Sequence, residues 1–191
     1  MSQDIRIRVI LSLFLCAVFG CNAGAQQNQD AMKPKQLEQA AFDVIGISAR
    51  TTNAAEATGN GAIPKQWQRL FMENLLSQIP DRLDQSIVAV YTDYASDANG
   101  DYTFILGAKV KPGTKAPNGM VAVSVPAGTY LEFVTAKGPG AEVVPPAWMQ
   151  IYGYFQGSSA PKRAFKTDFE RYDGPFDSNA MQAHIYIGIK P

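Results

Sequence analysis

The alternation of apolar and polar positions divides the chain into strands and two helices. Apolar residues at helical spacing predict one helix from Pro64 to Ile79 and another from about Val144 to Gly157. The Thr-, Asn-, Ala- and Gly-rich stretch 51–62 predicts a loop. Alternating or β-branched apolar runs predict strands over 42–48, 86–94, 102–110, 120–125, 129–136, 163–172 and 183–189. The order strand, helix, strand, strand therefore occurs twice.

The two halves also share residues. The pattern aliphatic-Pro-x-x-Trp-x-x-aliphatic-aromatic at 63–71 recurs 81 residues later at 144–152, and Gly107 matches Gly188 at the same offset. Thr92-Asp93-Tyr94 matches Thr167-Asp168-Phe169 at a slightly shorter offset. Matches in the same order indicate a duplicated β-α-β-β unit. We therefore predict an α+β fold, in which an antiparallel sheet with pseudo-twofold symmetry carries two covering helices and a central ligand groove.

The apolar run at 9–20 follows two arginines and is too short to span a membrane, which is typical of an export signal. Two cleavage sites compete after it. Val18-Phe19-Gly20-Cys21 resembles a bacterial lipobox, in which Cys21 would be lipidated and would anchor the protein to a membrane. Ala23-Gly24-Ala25 fits an ordinary signal peptidase. Either site predicts export to the periplasm or cell envelope.

The domain organisation follows from these segments. Residues 1–25 are predicted to be the signal peptide, and the polar stretch 26–40 a flexible tether. Residues 41–191 are predicted to form one domain. Both cysteines lie in the signal segment, so this domain would be stable without disulfides.

Charge and motif content exclude several classes of function. Lysine plus arginine equals aspartate plus glutamate at 17 each, which provides no basic field for nucleic acid. His184 is the only histidine, and no metal-binding or nucleotide-binding motif is present. We therefore expect no metal, no cofactor and no nucleic-acid partner.

The stretch 166–172 carries the candidate chemistry. In an extended strand Asp168, Glu170 and Tyr172 share one face. Two acids and a phenol on one face form either a solvated surface or the floor of a polar-tipped cavity. Periodicity alone favours the solvated surface, with Glu170 paired to a neighbouring cation.

Several short motifs together resemble a known family. They are Val44-Ile45-Gly46, Ile63-Pro64-x-x-Trp67, Tyr91-Thr92-Asp93-Tyr94, Gly100-Asp101-Tyr102-Thr103, Gly107, Pro126-Ala127-Gly128-x-Tyr130, Trp148-x-x-Ile151, Thr167-Asp168-Phe169-Glu170-x-Tyr172 and Ile187-Gly188-Ile189. Over about 42–190 the chain resembles the GyrI-like effector-binding domain of AraC-type and MerR-type regulators, and most of all the stand-alone, integron-associated effector-binding proteins. No helix-turn-helix pattern precedes residue 42, so a DNA-binding role is not expected.

The resemblance implies a cavity at the twofold axis, with aromatic walls and an acid that meets cationic, lipophilic ligands. By motif that acid is Glu170, and its first-repeat counterpart is Ala95. Asp93 and Asp168 are interpreted as solvated or hairpin-supporting acids, and His184 as a sheet residue. The two tryptophans fit either core packing or a pocket wall. The predicted ligand-binding residues are Glu170, Trp67, Trp148, Tyr91, Tyr94, Phe104, Tyr152 and Tyr186.

Three functions remain open from the sequence. The first is an exported, lipid-anchored, non-enzymatic binding protein for amphipathic, cationic or neutral lipophilic small molecules. The second is a hydrolase of small electrophilic compounds, with Glu170 as general base and a tyrosine as hydrogen-bond donor. The third is a cell-envelope module that binds another protein through the same groove.

Overall fold

A computed structural model describes residues 32–59 and 61–191 of the chain. The predicted signal segment and the start of the tether lie outside the described residues. The described part contains eight strands, three α-helices and one 3-10 turn. They are β1 (Lys35–Gln39), β2 (Phe42–Thr51), α1 (Asn53–Ala57), α2 (Ile63–Met72), the 3-10 turn (Leu75–Gln78), β3 (Ile87–Thr92), β4 (Tyr102–Val110), β5 (Val121–Val125), β6 (Gly128–Val134), α3 (Gly140–Gln156), β7 (Thr167–Tyr172) and β8 (Ala183–Gly188).

One antiparallel sheet contains all eight strands in the order β1-β6-β8-β7-β3-β4-β2-β5. Read from either edge to the centre, the order is equivalent: β1-β6-β8-β7 on one side corresponds to β5-β2-β4-β3 on the other. The repeated units are β2-α2-β3-β4 and β6-α3-β7-β8. This arrangement confirms the predicted α+β fold with two pseudo-symmetric β-α-β-β halves.

The twofold axis passes through the pair formed by β3 and β7. Ala89 lies directly opposite Glu170 across these strands, and the 81-residue offset that relates Trp67 to Trp148 also relates Ala89 to Glu170. Ala89, and not Ala95, is therefore the counterpart of Glu170. The sequence match was misleading because Thr92 ends β3 whereas its look-alike Thr167 begins β7.

The sheet is strongly curled. β1 and β2 occupy the first and seventh places in the strand order, which would be ~29 Å apart in a flat sheet. Only Ala40 and Ala41 connect them, and this connection reaches about 11 Å at most. The ring of Phe42 on β2 accordingly lies 5.2 Å from that of Phe169 on β7, across the concave face. The helices α2 and α3 pack on the opposite, convex face, where the larger core lies.

Glycine is required where the curled strands approach each other. Gly46 on β2 lies opposite Gly107 on β4. A Cβ atom on Gly107 would stand 1.9 Å from the carbonyl oxygen of Ile45, so no other residue fits there without a backbone shift. Gly107 therefore marks a close approach of the two backbones.

Several predicted boundaries differ in the structure. The predicted tether 26–40 overlaps β1, because residues 35–39 pair with the otherwise open edge of β6. The helix predicted to reach Ile79 ends at Met72, where Asn74 adopts a left-handed conformation with φ of 47°. The predicted loop 51–62 contains the short helix α1.

The second helix and the strand after it also differ. Helix α3 begins at Gly140, ahead of the predicted start, and has Pro145 and Pro146 in its interior. β7 begins at Thr167 instead of Arg163, since Phe165 takes a φ of 50° and interrupts the extended chain. Among the described residues, no helix has the length and apolar character needed to cross a bilayer.

Candidate functional site

Glu170 is buried at the centre of the molecule, on the twofold axis and on the convex face beneath α3. Its side chain is 1% exposed. Tyr91 donates a hydrogen bond to its Oε1 atom at 3.0 Å, and Tyr172 donates to Oε2 at 2.6 Å. The indole N–H of Trp148 also donates to Oε1. The interpretation of Glu170 as a solvated surface acid is therefore wrong.

Two symmetric pairs of aromatic residues surround this carboxylate. Tyr91 and Tyr172 are related by the twofold axis, and so are Trp67 and Trp148. The ring of Trp148 meets that of Tyr91 edge-on at 5.2 Å, and Trp67 meets Tyr172 in the same way at 5.1 Å. Glu170 therefore adds a single charge to a site whose aromatic walls are nearly symmetric.

The electrostatic environment of Glu170 opposes its ionisation only in part. Burial raises the pKa of Glu170 above the usual glutamate value of 4.5, while the hydrogen bonds from Tyr172, Trp148 and Tyr91 act in the opposite direction. Burial beside this carboxylate also raises the pKa of both tyrosines well above the usual value, so they remain protonated donors. All three donors are neutral, and the charge of Glu170 is stabilised by dipoles alone.

Asp168 lies two residues before Glu170 and is fully buried, so that of its two sequence interpretations, a solvated or a hairpin-supporting acid, the solvated acid is wrong. Its Oδ2 atom accepts from the guanidinium of Arg163 at 2.6 Å and from the hydroxyl of Tyr94 at 2.7 Å. Its Oδ1 atom accepts from the backbone N–H of Gly188 at 2.8 Å. Unlike Glu170, Asp168 has a cationic partner.

Arg163 was not among the site residues predicted from the sequence. Its guanidinium carbon lies 4.7 Å from the ring centre of Phe165 and 5.7 Å from that of Trp148, with Tyr94 and Tyr152 each at 5.9 Å. The residue precedes β7 across the turn at Phe165, so strand periodicity gave no indication that it turns back toward Asp168. Its spacing of 81 residues from Arg82 was the one available signal.

The structure brings most of the predicted ligand-binding residues to this site. Tyr91 and Trp148 contact Glu170 directly, and Phe104 packs on Tyr91 at 5.3 Å between ring centres. Trp67 contacts the site through Tyr172, whereas Tyr94 and Tyr152 surround Arg163. These residues form one continuous aromatic cluster beneath α2 and α3.

Tyr186 does not belong to this cluster, which corrects its assignment. It lies on the concave face, where its ring stacks on Phe169 at 4.4 Å and its hydroxyl donates to Glu132 at 2.8 Å. His184 lies on the same face, 2.9 Å from Glu132. Because strand side chains alternate between faces, the odd-numbered residues of β8 face the helices and Tyr186 cannot.

A small cavity adjoins the Tyr172 side of the site. It has a volume of about 190 Å³ and is lined by Tyr172, Phe176, Met181 and His184 among others. Phe176 separates it from α2, with its ring stacked on Trp67 at 5.7 Å and on Phe71 at 5.0 Å. This volume is below the usual range for a ligand pocket. Within the described residues, no group of three or more His, Cys, Asp or Glu side chains is placed to hold a metal ion.

The fold defines the class of protein. The architecture is that of GyrI-like effector-binding domains. Residues 37–189 match the model of the Cass2 family, described as integron-associated effector-binding proteins, and the chain belongs to this family. The predicted family resemblance is thereby confirmed.

Individual relatives agree with this assignment. The putative transcriptional regulator YobU of Bacillus subtilis (strain 168) is 35% identical over 149 residues, covering 76% of this chain and 90% of YobU. An integron cassette protein of Vibrio cholerae, VCH_CASS2, superposes with a TM-score of 0.65 at 27% identity, covering 82% of this chain and 95% of that structure. SAV2435, in a structure bound to tetraphenylphosphonium, shares the fold with a TM-score of 0.68 at 16% identity, covering 83% and 94% of the two chains.

Proposed function

We propose that this protein binds amphipathic small molecules that carry a positive charge, with Glu170 as the electrostatic partner of that charge. The observation that carries the proposal is a buried carboxylate whose hydrogen-bond partners are all neutral. A buried charge without a counter-ion is costly, and a cationic ligand would supply the missing partner.

The aromatic residues around Glu170 suit the rest of such a ligand. The faces of Trp and Tyr rings attract cations and also bury apolar surface. The phenol groups of Tyr91 and Tyr172 approach the carboxylate from opposite sides of the twofold axis. A lipophilic cation would therefore find its counter-ion and an apolar enclosure in the same place.

Access to Glu170 requires a rearrangement, because Trp148 covers the carboxylate in this conformation. Trp148 lies on α3, just after Pro145 and Pro146. Two prolines remove two backbone hydrogen bonds from the first half of the helix, which lowers the cost of displacing it. We infer that ligand entry moves this part of α3, so that the positive charge of the ligand takes the place of the indole N–H of Trp148 beside the carboxylate of Glu170.

The comparisons support this proposal at the level of the family. An effector-binding domain is a small-molecule-binding domain, and the chain belongs to such a family. SAV2435, which has the same fold, binds tetraphenylphosphonium, a lipophilic monocation. That ion is the natural first ligand to test here.

A thermal-shift experiment with two isosteric ions tests the proposed function. Tetraphenylphosphonium and tetraphenylborate have nearly the same shape and opposite charge. At a hundred times its dissociation constant a ligand stabilises the folded state by ~2.7 kcal/mol, or roughly 5–10 °C for a domain of this size. We expect this shift with the phosphonium and none with the borate. Equal shifts would show that apolar burial alone drives binding, and no shift with either would reject the proposal.

The affinity for the cation should fall as the pH is lowered. Burial raises the pKa of Glu170 above 4.5, so its carboxyl takes up a proton at a higher pH than an exposed glutamate does. A proton and the cation compete for the same carboxylate, and affinity decreases by up to about tenfold per pH unit below the raised pKa. Calorimetry with tetraphenylphosphonium at pH 7.5 and pH 5 measures this loss. Neutral triphenylphosphine oxide should bind equally at both.

We also propose that the protein is exported and anchored through a lipid on Cys21. The support is the basic, apolar and lipobox-like order of residues 1–21. Expressed in a Gram-negative host with radiolabelled palmitate, the full chain should incorporate label and fractionate with membranes. Cys21→Ala should abolish labelling, while Cys16→Ala should leave it unchanged. Unlabelled wild-type protein cleaved after Ala25 would favour ordinary signal-peptidase processing.

A further inference from the structure

We propose that Arg163 determines the charge of the ligand: it neutralises Asp168 and thereby restricts the site to molecules with one positive charge. This inference rests on the proposed function, since it assumes that a cation binds at Glu170. It extends that function by assigning a role to the arginine beside the binding site.

The surroundings of Arg163 are those of a bound cation. Its guanidinium is enclosed by the rings of Trp148, Tyr152, Tyr94 and Phe165 and paired with Asp168. An aromatic cage with a carboxylate is the arrangement that proteins use for cationic ligands. Trp148 belongs to both parts of the site, because its indole N–H reaches Glu170 and its ring faces Arg163. The arginine therefore occupies a second cation site next to the first.

The two pseudo-symmetric halves differ at this place. In one half Arg163 lies against Trp148 and Tyr152, whose rings are tilted by 36° to each other. In the other half Phe176 lies against the equivalent pair, Trp67 and Phe71. The twofold scaffold thus has a cationic end and an apolar end. Arg82, the repeat counterpart of Arg163, does not reach a carboxylate and donates instead to the carbonyl oxygen of Leu76.

The hydrogen bonding of Arg163 is incomplete. Arg163 is 8% exposed, and its Nε atom is buried without a hydrogen-bond partner. An unsatisfied buried donor costs about 1–3 kcal/mol. The same holds for the Nε atom of Arg82, so the ion pair with Asp168 and the aromatic contacts, and not this donor, distinguish Arg163 from its repeat counterpart.

The charges give the expected ligand valence. Within the described residues, the charged side chains that are more than nine-tenths buried are Glu170, Asp168 and Arg163. Their sum is one negative charge when both acids are ionised. Without Arg163 the sum would be two negative charges. These charges would lie on Asp168 and Glu170, which are two residues apart on β7 and hence ~7 Å apart.

A matched pair of aromatic cations tests this role. 1-Methyl-4-phenylpyridinium carries one charge, whereas methyl viologen has nearly the same shape and two charges, one on each ring. By calorimetry the wild-type protein should bind the monocation at least tenfold more tightly. Arg163→Met should reverse this preference. The double variant Arg163→Met with Asp168→Asn again has one buried negative charge. It should prefer the monocation, as the wild type does.

Arg82→Met provides the control, because it removes the repeat counterpart without changing the buried charge. Its preference should equal that of the wild type. The proposal is overturned if the wild-type protein binds methyl viologen as tightly as the monocation, a comparison that does not need Arg163→Met to fold. It is also overturned if Arg163→Met folds and keeps the wild-type preference. If the wild-type protein binds neither cation, the proposed function itself is rejected.

Discussion

Glu170→Gln should lower the affinity for tetraphenylphosphonium by about 30-fold or more, which corresponds to ~2 kcal/mol. The amide has nearly the same shape as the carboxylate and keeps one acceptor oxygen. The change therefore removes the charge that faces the ligand while it leaves the aromatic walls of Tyr91, Tyr172 and Trp148 in place. Calorimetry on the two proteins measures the difference directly.

Two controls separate charge from packing. Triphenylphosphine oxide is neutral and should bind Glu170→Gln and the wild type within about twofold, since apolar burial is unchanged. Glu132→Gln changes a second acid that accepts from a tyrosine, but this acid is only partly buried and lies on the concave face. It should leave phosphonium binding unaltered. An equal loss of the cation and the neutral compound in Glu170→Gln would contradict an electrostatic role for Glu170.

Asp168→Ala should lower the free energy of unfolding by ~3–5 kcal/mol, the largest stability change that we expect from a single substitution at this site. Asp168 binds the guanidinium of Arg163, the hydroxyl of Tyr94 and the backbone N–H of Gly188. Its removal leaves a buried cation without a counter-ion and two further donors without an acceptor. Urea denaturation with a shared m-value measures the loss.

The exposed pair between Arg69 and Glu73 is the natural comparison. The two residues are four positions apart at the end of α2, and both side chains are about half exposed. Glu73→Ala should therefore change the free energy of unfolding little. Combining Asp168→Ala with Arg163→Met should recover part of the lost stability, because the unpaired charge is then absent. If Asp168→Ala unfolds at the same urea concentration as the wild type, the buried pair contributes nothing to stability.

The two acids of β7 thus have separate tasks, although they share a strand and a face. Asp168 joins β7 to β8 and to Arg163, and its charge is compensated within the protein. Glu170 lies on the twofold axis with neutral partners only, and we propose that its charge pairs with a ligand once Trp148 moves. In this proposal the same strand supplies both a structural acid and a binding acid.

The sequence by itself determined the repeat and the fold class, and its resemblance to a known family singled out Glu170 as the candidate binding acid. The Pro-x-x-Trp motif and the paired glycines recur because each half needs a helix with a tryptophan on its buried face and strands that approach closely. These requirements are local in the chain, so they appear as patterns. The strand period also placed Asp168, Glu170 and Tyr172 on one face correctly.

Only the tertiary structure decided which residues meet. Pairing β3 with β7 placed Glu170 opposite Ala89, brought Tyr91 and Tyr172 to the same carboxylate and sent Tyr186 to the other face. A left-handed residue at Phe165 directed Arg163 back to Asp168. Pairing register and backbone reversals depend on contacts between distant residues, and no periodicity along the chain records them. For that reason the sequence singled out Glu170 as a candidate, and only the fold showed that the charge of Asp168 is already neutralised by Arg163.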